Sequence, residues 1–191
     1  MMDKAIKTAV YDDELRLEAY RFDGIMQPFP NHFHEYYVIG LVERGERCLS
    51  CRDQEYTIRA GDLFLFNPGD NHACSQTDGG TFSYRSINIS KEIISELSME
   101  ITGRKNLPGF SPTVIRVREA VCCFRTLHGL IMESSREFKK EESLLLLLAL
   151  LIRRYGQPFD EYVPECREEI ESACAFMETH YSEHISLEQI C

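Results

Sequence analysis

The chain has 191 residues, 43% apolar and 27% charged, a balance that fits a soluble globular protein and excludes a disordered or collagen-like one. Its 31 acidic and 21 basic residues leave a formal charge of −10, which repels phosphate and argues against this chain alone as a strong binder of nucleic acid or an anionic membrane. The length suits one domain, or one domain with an appendage.

The opening "MMDKAIKTAVYDDELRLEAY" lacks the continuous apolar run of a signal peptide, so the expected location is the cytoplasm. From Leu15 to Ile89, short apolar runs alternate with Gly, Pro, Asn and Asp, the pattern of a sandwich or small barrel. Predicted strands are "LRLEAY", "EYYVIGLVE", "RCLSC", "EYTIR", "DLFLFN" and "FSYRSINI". "CRDQ" reads as a tight hairpin, and "RAGD" and "NPGDN" bring the glycines that sharp corners need.

After Ser90 the period changes. Ile93, Ile94 and Leu97 fit a short helix, and helical patterning dominates from about Val114 to Tyr155. "KKEESLLLLLALLIRRYG" has an acidic entry, nine apolar residues from Leu144 to Ile152, a basic exit and Gly156 as a stop. Nine residues fall far short of the ~20 that cross a bilayer, so no membrane partner is expected. A helix apolar on every face needs cover on every face, which predicts a homodimer through Leu144, Leu147, Leu148 and Leu151, with burial inside a helical layer as the alternative.

"QPFDEYVPEC", Gln157 to Cys166, carries two prolines and reads as a linker. Beyond it, Ile170, Ala173, Cys174, Met177 and Tyr181 share one helix face. In "ISLEQIC", Ser186 can cap a new helix with Gln189 reaching back, while Ile185 meets Ile190 as a staple. Too few residues follow for an isolated helix, so a continuing second domain is expected. The eight cysteines are expected as reduced thiols, with Cys48 and Cys51 weak as a zinc or redox pair.

Candidate chemistry gathers at "FPNHFHEYYVIGLVERG". On one strand His32, His34, Tyr36, Val38, Gly40, Val42 and Arg44 share a face, mixing imidazole, phenol and guanidinium with aliphatics, as suits a small barrel holding a polar ligand. "RAGDLFLFNPGDNH" turns at Pro68-Gly69 and can return His72 toward His32 and His34. Tyr84 and Ser86 share a parity on the last strand and are expected to line the cavity, while Ile87 and Ile89 suggest a second buried face. No Ser-His-Asp order, phosphate-cradling loop or paired-carboxylate motif stands out.

"HFHEYYVIGLVERGERCLSCRDQEYTIRAGDLFLFNPGDNH" resembles the effector-binding cupin domain of AraC-type bacterial transcriptional regulators, and "IESACAFMETHYSEHISLEQIC" resembles the opening of their helix-turn-helix domain. The resemblance implies a mainly β chain with α: a cupin-like jelly-roll barrel at 1–90, a helical dimerisation segment at 91–156, a linker at 157–166 and the truncated start of an all-α DNA-binding domain at 167–191. It also implies no catalysis, a small-molecule effector such as a sugar or small acid, and DNA contact only through the C-terminal domain. Arg44 stands where sugar-sensing members place an arginine toward the ligand, and residues 1 to about 14 correspond to an arm folded over the pocket. Metal-binding cupins are similar but add a glutamate where this chain has Val38 and Ile39, and Glu35 points to the other face. No cofactor is therefore expected. The rival reading is a metal-dependent oxygenase or isomerase that binds a divalent ion through His32, His34 and His72.

Overall fold

The computed structural model describes residues 5–77, 79–159, 168–182, 184–186 and 189. The chain divides into two compact units, Met1–Asp160 and Glu161–Cys191. The first is built from β1 (Ile6–Asp12), β2 (Leu17–Ile25), β3 (Phe29–His32), β4 (Tyr37–Arg44), β5 (Glu46–Cys51), β6 (Gln54–Arg59), β7 (Leu63–Phe66), β8 (His72–Gln76) and β9 (Phe82–Ile89). Helix α1 (Lys91–Thr102), short strands β10 (Pro108–Phe110) and β11 (Val114–Ile115), helices α2 (Arg118–Met132) and α3 (Lys139–Tyr155) and strand β12 (Gly156–Pro158) follow.

One sheet runs β1-β2-β9-β4-β7-β11 and the other β3-β8-β5-β6, with every pair antiparallel. This is the expected cupin-like barrel with helices after it. Arg52 and Asp53, both at positive φ, form the two-residue turn between β5 and β6, the mirror-type turn whose twist matches that of a hairpin. Cys48 and Cys51 lie on opposite faces of β5, one half-buried and one buried, so the strand separates the pair. Among the described residues six cysteines are free thiols.

Strands β4 and β9 are buried on both faces. Tyr37, Ile39 and Leu41 with Ile87 and Ile89 face the helices, while Val38 and Val42 face the barrel interior with Phe64, Phe66 and Phe82. The outer layer is completed by Ala120, Phe124, Leu127 and Ile131 of α2, spaced as one helical face. His128 continues that face without exposure, and its Nε2 hydrogen-bonds Tyr20 O at 2.9 Å.

Leu144, Leu147, Leu148 and Leu151 belong to this same core, between 0% and 2% exposed. They are therefore corrected from dimer surface to core, because the sheet and α2 already cover that side of α3. The exposed side carries Phe138 and Leu146, beside a groove lined by Leu97, Ile101 and Ala149. Gly156 has extended angles and begins β12, where an added Cβ would meet Ile152 O at 2.5 Å; close approach, not a left-handed cap, explains glycine there.

Of the anticipated N-terminal arm, Ile6–Asp12 form β1, an edge strand paired with β2, and residues 1–4 lie outside the described residues. Lys140, buried on α3, anchors the following turn through Asp12 and Glu14, each at 2.7 Å. Gln157 and Pro158 lie in β12, paired with β10, while most of the predicted linker is outside the described residues.

In the second unit, α4 (Glu168–Thr179) covers the predicted helix face as far as Met177, which is exposed, and ends before Tyr181, which is exposed too. Ser186 N–H donates to Gln189 Oε1 at 2.9 Å, the reciprocal half of the anticipated cap. Ile190, the expected staple partner, lies outside the described residues. No described helix is long and apolar enough to cross a membrane.

Candidate functional site

The inner faces of the two sheets leave a cavity of about 250 Å³. Its walls are largely aromatic. Phe22 and Tyr84 stack at 4.6 Å between centroids, with Phe29, Phe64 and Phe66 around them. Gly40 makes room for Phe64: an added Cβ would come within 1.9 Å of its ring. Polar groups enter among these rings from Tyr36, Ser86 and Asn88, and Lys7 reaches the lining from β1.

Three imidazoles converge on this cavity. Ring centroids lie 4.9 Å apart for His32 and His34, 4.3 Å for His32 and His72, and 5.1 Å for His34 and His72. Register explains the first link, since β3 pairs with β8 and places His32 opposite His72. The Pro68-Gly69 corner supplies the second, because Gly69 N–H donates to His34 O at 2.8 Å.

That corner is itself held. Asp70 accepts from Asn67 N–H at 2.7 Å and pairs with Arg52 at 2.6 Å, while Arg52 also donates to the carbonyls of Phe110 and Ser111. The Asn67 side chain accepts from Phe110 N–H at 2.8 Å. Sequence reasoning found the corner but missed the braces to Arg52 and Phe110, whose partners lie 18 and 43 residues away in the chain.

Burial governs the titration of the site. Desolvation lowers His72 from 6.5 to about 4, its contact with the Asp70 carbonyl opposes this, and the neighbouring histidines add to the lowering. Burial first, then His32, lowers His34. Desolvation raises the Tyr36 phenol, helped by Glu18, and drives that of Tyr84 far above its ordinary value. Near neutral pH the buried His72 ring and the two phenols are uncharged hydrogen-bonding groups.

His32 Nδ1 lies 2.7 Å from Pro30 O and His72 Nδ1 2.9 Å from Asp70 O. A carbonyl only accepts, so these nitrogens carry protons, and in the neutral tautomer this selects, Nε2 is the unprotonated nitrogen. The donor atoms of the three histidines all lie within 4.8 Å of one another. The set fits a divalent ion that favours imidazole, with coordination positions left over.

Of the predicted ligand residues, His32, His34, Tyr36, His72, Tyr84 and Ser86 line one cavity. Arg44 does not. The register shifts between Val42 and Arg44, so parity fails at the strand end and Arg44 lies exposed, donating to Thr81 Oγ1 at 3.2 Å. The arginine turned into the barrel is Arg47, 1% exposed, which donates to Ile25 O at 2.8 Å and lies 5.4 Å from the Phe82 ring centroid. Its Nε and Nη1 have no hydrogen-bond partner among the described residues. The parity it shares with Leu49 and Cys51 was the available signal, as the parity of Asn88 with Ser86 was for that residue.

The AraC-like ligand binding domain profile matches residues 14–151. Over 190 residues, 99% of this chain and 69% of the relative, the sequence is 47% identical to YbfI, named an uncharacterized HTH-type transcriptional regulator, of Bacillus subtilis (strain 168). It is 24% identical over 156 residues to the lactose operon transcription activator of Staphylococcus xylosus, covering 80% of this chain and only 55% of that protein. Among solved structures, a cupin superfamily protein from Desulfitobacterium hafniense DCB-2 aligns with a TM-score of 0.41 and 15% identity, over 47% of this chain and 81% of that one.

Proposed function

The chain belongs to the AraC-like ligand binding domain family, and from that premise we propose that it is the sensor and dimerisation region of a cytoplasmic DNA-binding regulator, switched by a small molecule held in the barrel. The observation that carries this reading is the cavity itself, aromatic-walled, with convergent polar groups on six predicted residues. One relative has lactose in its name, a precedent for a sugar. The chain's own chemistry favours a small acid. Lys7 on the lining and buried Arg47 behind Phe82 place positive charge about the cavity in a chain of net charge −10.

A ligand shifts a protein only by its differential affinity for two states. The contacts support one route. Lys7 belongs to β1, whose last residue Asp12 pairs with Lys140 on α3, so an occupant that moves β1 can bias the helices. We place the dimer contact on the exposed side of α1 and α3, around Phe138 and Leu146. DNA is contacted through the domain that begins in residues 167–191.

The test is a melting-temperature screen of neutral sugars and small carboxylic acids. A ligand at ~100 times its dissociation constant stabilises by about 2.7 kcal/mol. Stabilisation by an acid, lost in Arg47→Met, supports the reading. A screen in which no compound stabilises the wild-type chain counts against a sensor.

A further inference from the structure

We propose that Arg47 anchors the carboxylate of a monocarboxylic acid with an apolar body, which lies lengthwise in the barrel with its acid end beside Phe82. The inference rests on the sensor reading and adds the anchoring group, the orientation and the ligand class.

Arg47 shares the inner face of β5 with Leu49 and Cys51. Register puts Ile58 of β6 directly opposite it, and Leu49, Ile58, Cys74 and Phe82 all line the cavity. The guanidinium packs behind that lining, 5.4 Å from the Phe82 ring centroid. Burial raises the Cys74 thiol to about 11 and the Arg47 charge opposes the rise, so the field of the guanidinium reaches the cavity wall. Turning the Phe82 ring aside brings the two into contact.

A charge only 1% exposed ordinarily meets a counter-charge, with an acceptor on each donor. Among the described residues Arg47 has one polar partner: Nη2 donates to Ile25 O at 2.8 Å, while Nε and Nη1 lack an acceptor. A carboxylate remedies both faults, because it brings the missing charge together with acceptor oxygens.

The walls select the rest of the molecule. On β5 the positions from Arg47 to Cys51 pair with Gln76 to His72 on β8, a rise of four residues or about 13 Å between the guanidinium end and the imidazole end. Leu49, Ile58, Phe64 and Phe66 line the cavity along that path, so the body of the acid is apolar. A compact inorganic anion would leave those rings uncovered, and a volume of about 250 Å³ keeps the acid small.

The test titrates hexanoate and phenylacetate into this chain by calorimetry, each against its primary amide at matched ionic strength. Wild type should bind at least one acid about tenfold or more tightly than its amide, because only the acid meets the guanidinium with charge. Arg47→Met should bring that acid down to the affinity of its amide and leave the amide unchanged. Methionine removes an unpaired buried charge, so the variant should melt no lower than wild type. Circular dichroism checks the fold; should Arg47→Met not fold, Arg47→Lys, which keeps the charge without the fork, should weaken the acid alone. Equal affinity for acid and amide in wild type overturns the proposal. So does an acid preference that survives in folded Arg47→Met, which would assign the charge to Lys7. If neither acid binds, the anchor falls, while the sensor reading stands or falls separately on the neutral sugars.

Discussion

The two sides of β4 and β9 put one sheet to two uses. Toward the helices, Tyr37, Ile39, Leu41, Ile87 and Ile89 meet leucines of α3 and the aromatic and aliphatic face of α2 in a closed apolar layer. Toward the second sheet, the alternate residues meet aromatic rings, imidazoles, a serine and an asparagine, and the space between them stays open. Burial alone therefore does not identify core. Filling separates the two sides: aliphatics interdigitate with α2 and α3, whereas flat rings and polar tips leave room for a guest.

The contrast breaks most sharply at α3. Leu148→Ala on the closed side should destabilise by about 2–5 kcal/mol in urea unfolding, because it opens a cavity in a packed layer. A loss below about 1 kcal/mol would mean that this layer is loosely packed.

Acid tests the other side. A His72 pKa of about 4 in the fold against 6.5 ordinarily means that the unfolded chain binds a proton first as pH falls. Its contribution is fully present above about pH 6.5 and is lost as pH falls toward about 4, on the order of 2–3 kcal/mol. His34 and His128, also lowered by burial, act in the same direction. Urea midpoints against pH for wild type and His72→Gln should differ in slope across that window; parallel curves would contradict the assignment.

Gly40→Ala joins the two sides, because the new methyl must displace Phe64 from the cavity wall. We expect about 1–3 kcal/mol of destabilisation and weakened binding of any cavity ligand. A variant of wild-type stability would show that Phe64 relaxes freely. The smallest stability change should come at Leu146→Glu, within about 0.5 kcal/mol, while sedimentation shifts from dimer to monomer. A folded dimer would move the interface elsewhere.

Much of this contrast was legible before any coordinates. Period-2 alternation in "FSYRSINI" separated Tyr84 and Ser86 from Ile87 and Ile89, and the glycine corner anticipated the return of His72. Other features had no local signal. A helix that is leucine nearly all round does not say which side meets the sheet, so Leu147 was placed on a partner and Leu146 overlooked. Parity carried Arg44 inward until a register shift intervened. The strand holding Lys7 is an exposed edge with little apolar pattern. The Arg52 and Asp70 brace joins residues 18 apart through a bond that no sequence period encodes.

Ser86→Leu offers the most direct measurement, because it fills the cavity with one side chain and leaves the helix-facing layer untouched. Titration of a stabilising compound into both proteins by calorimetry should give saturable binding to the wild type and none to the folded variant. Equal binding to both would place the small molecule outside the barrel and contradict the sensor assigned to it.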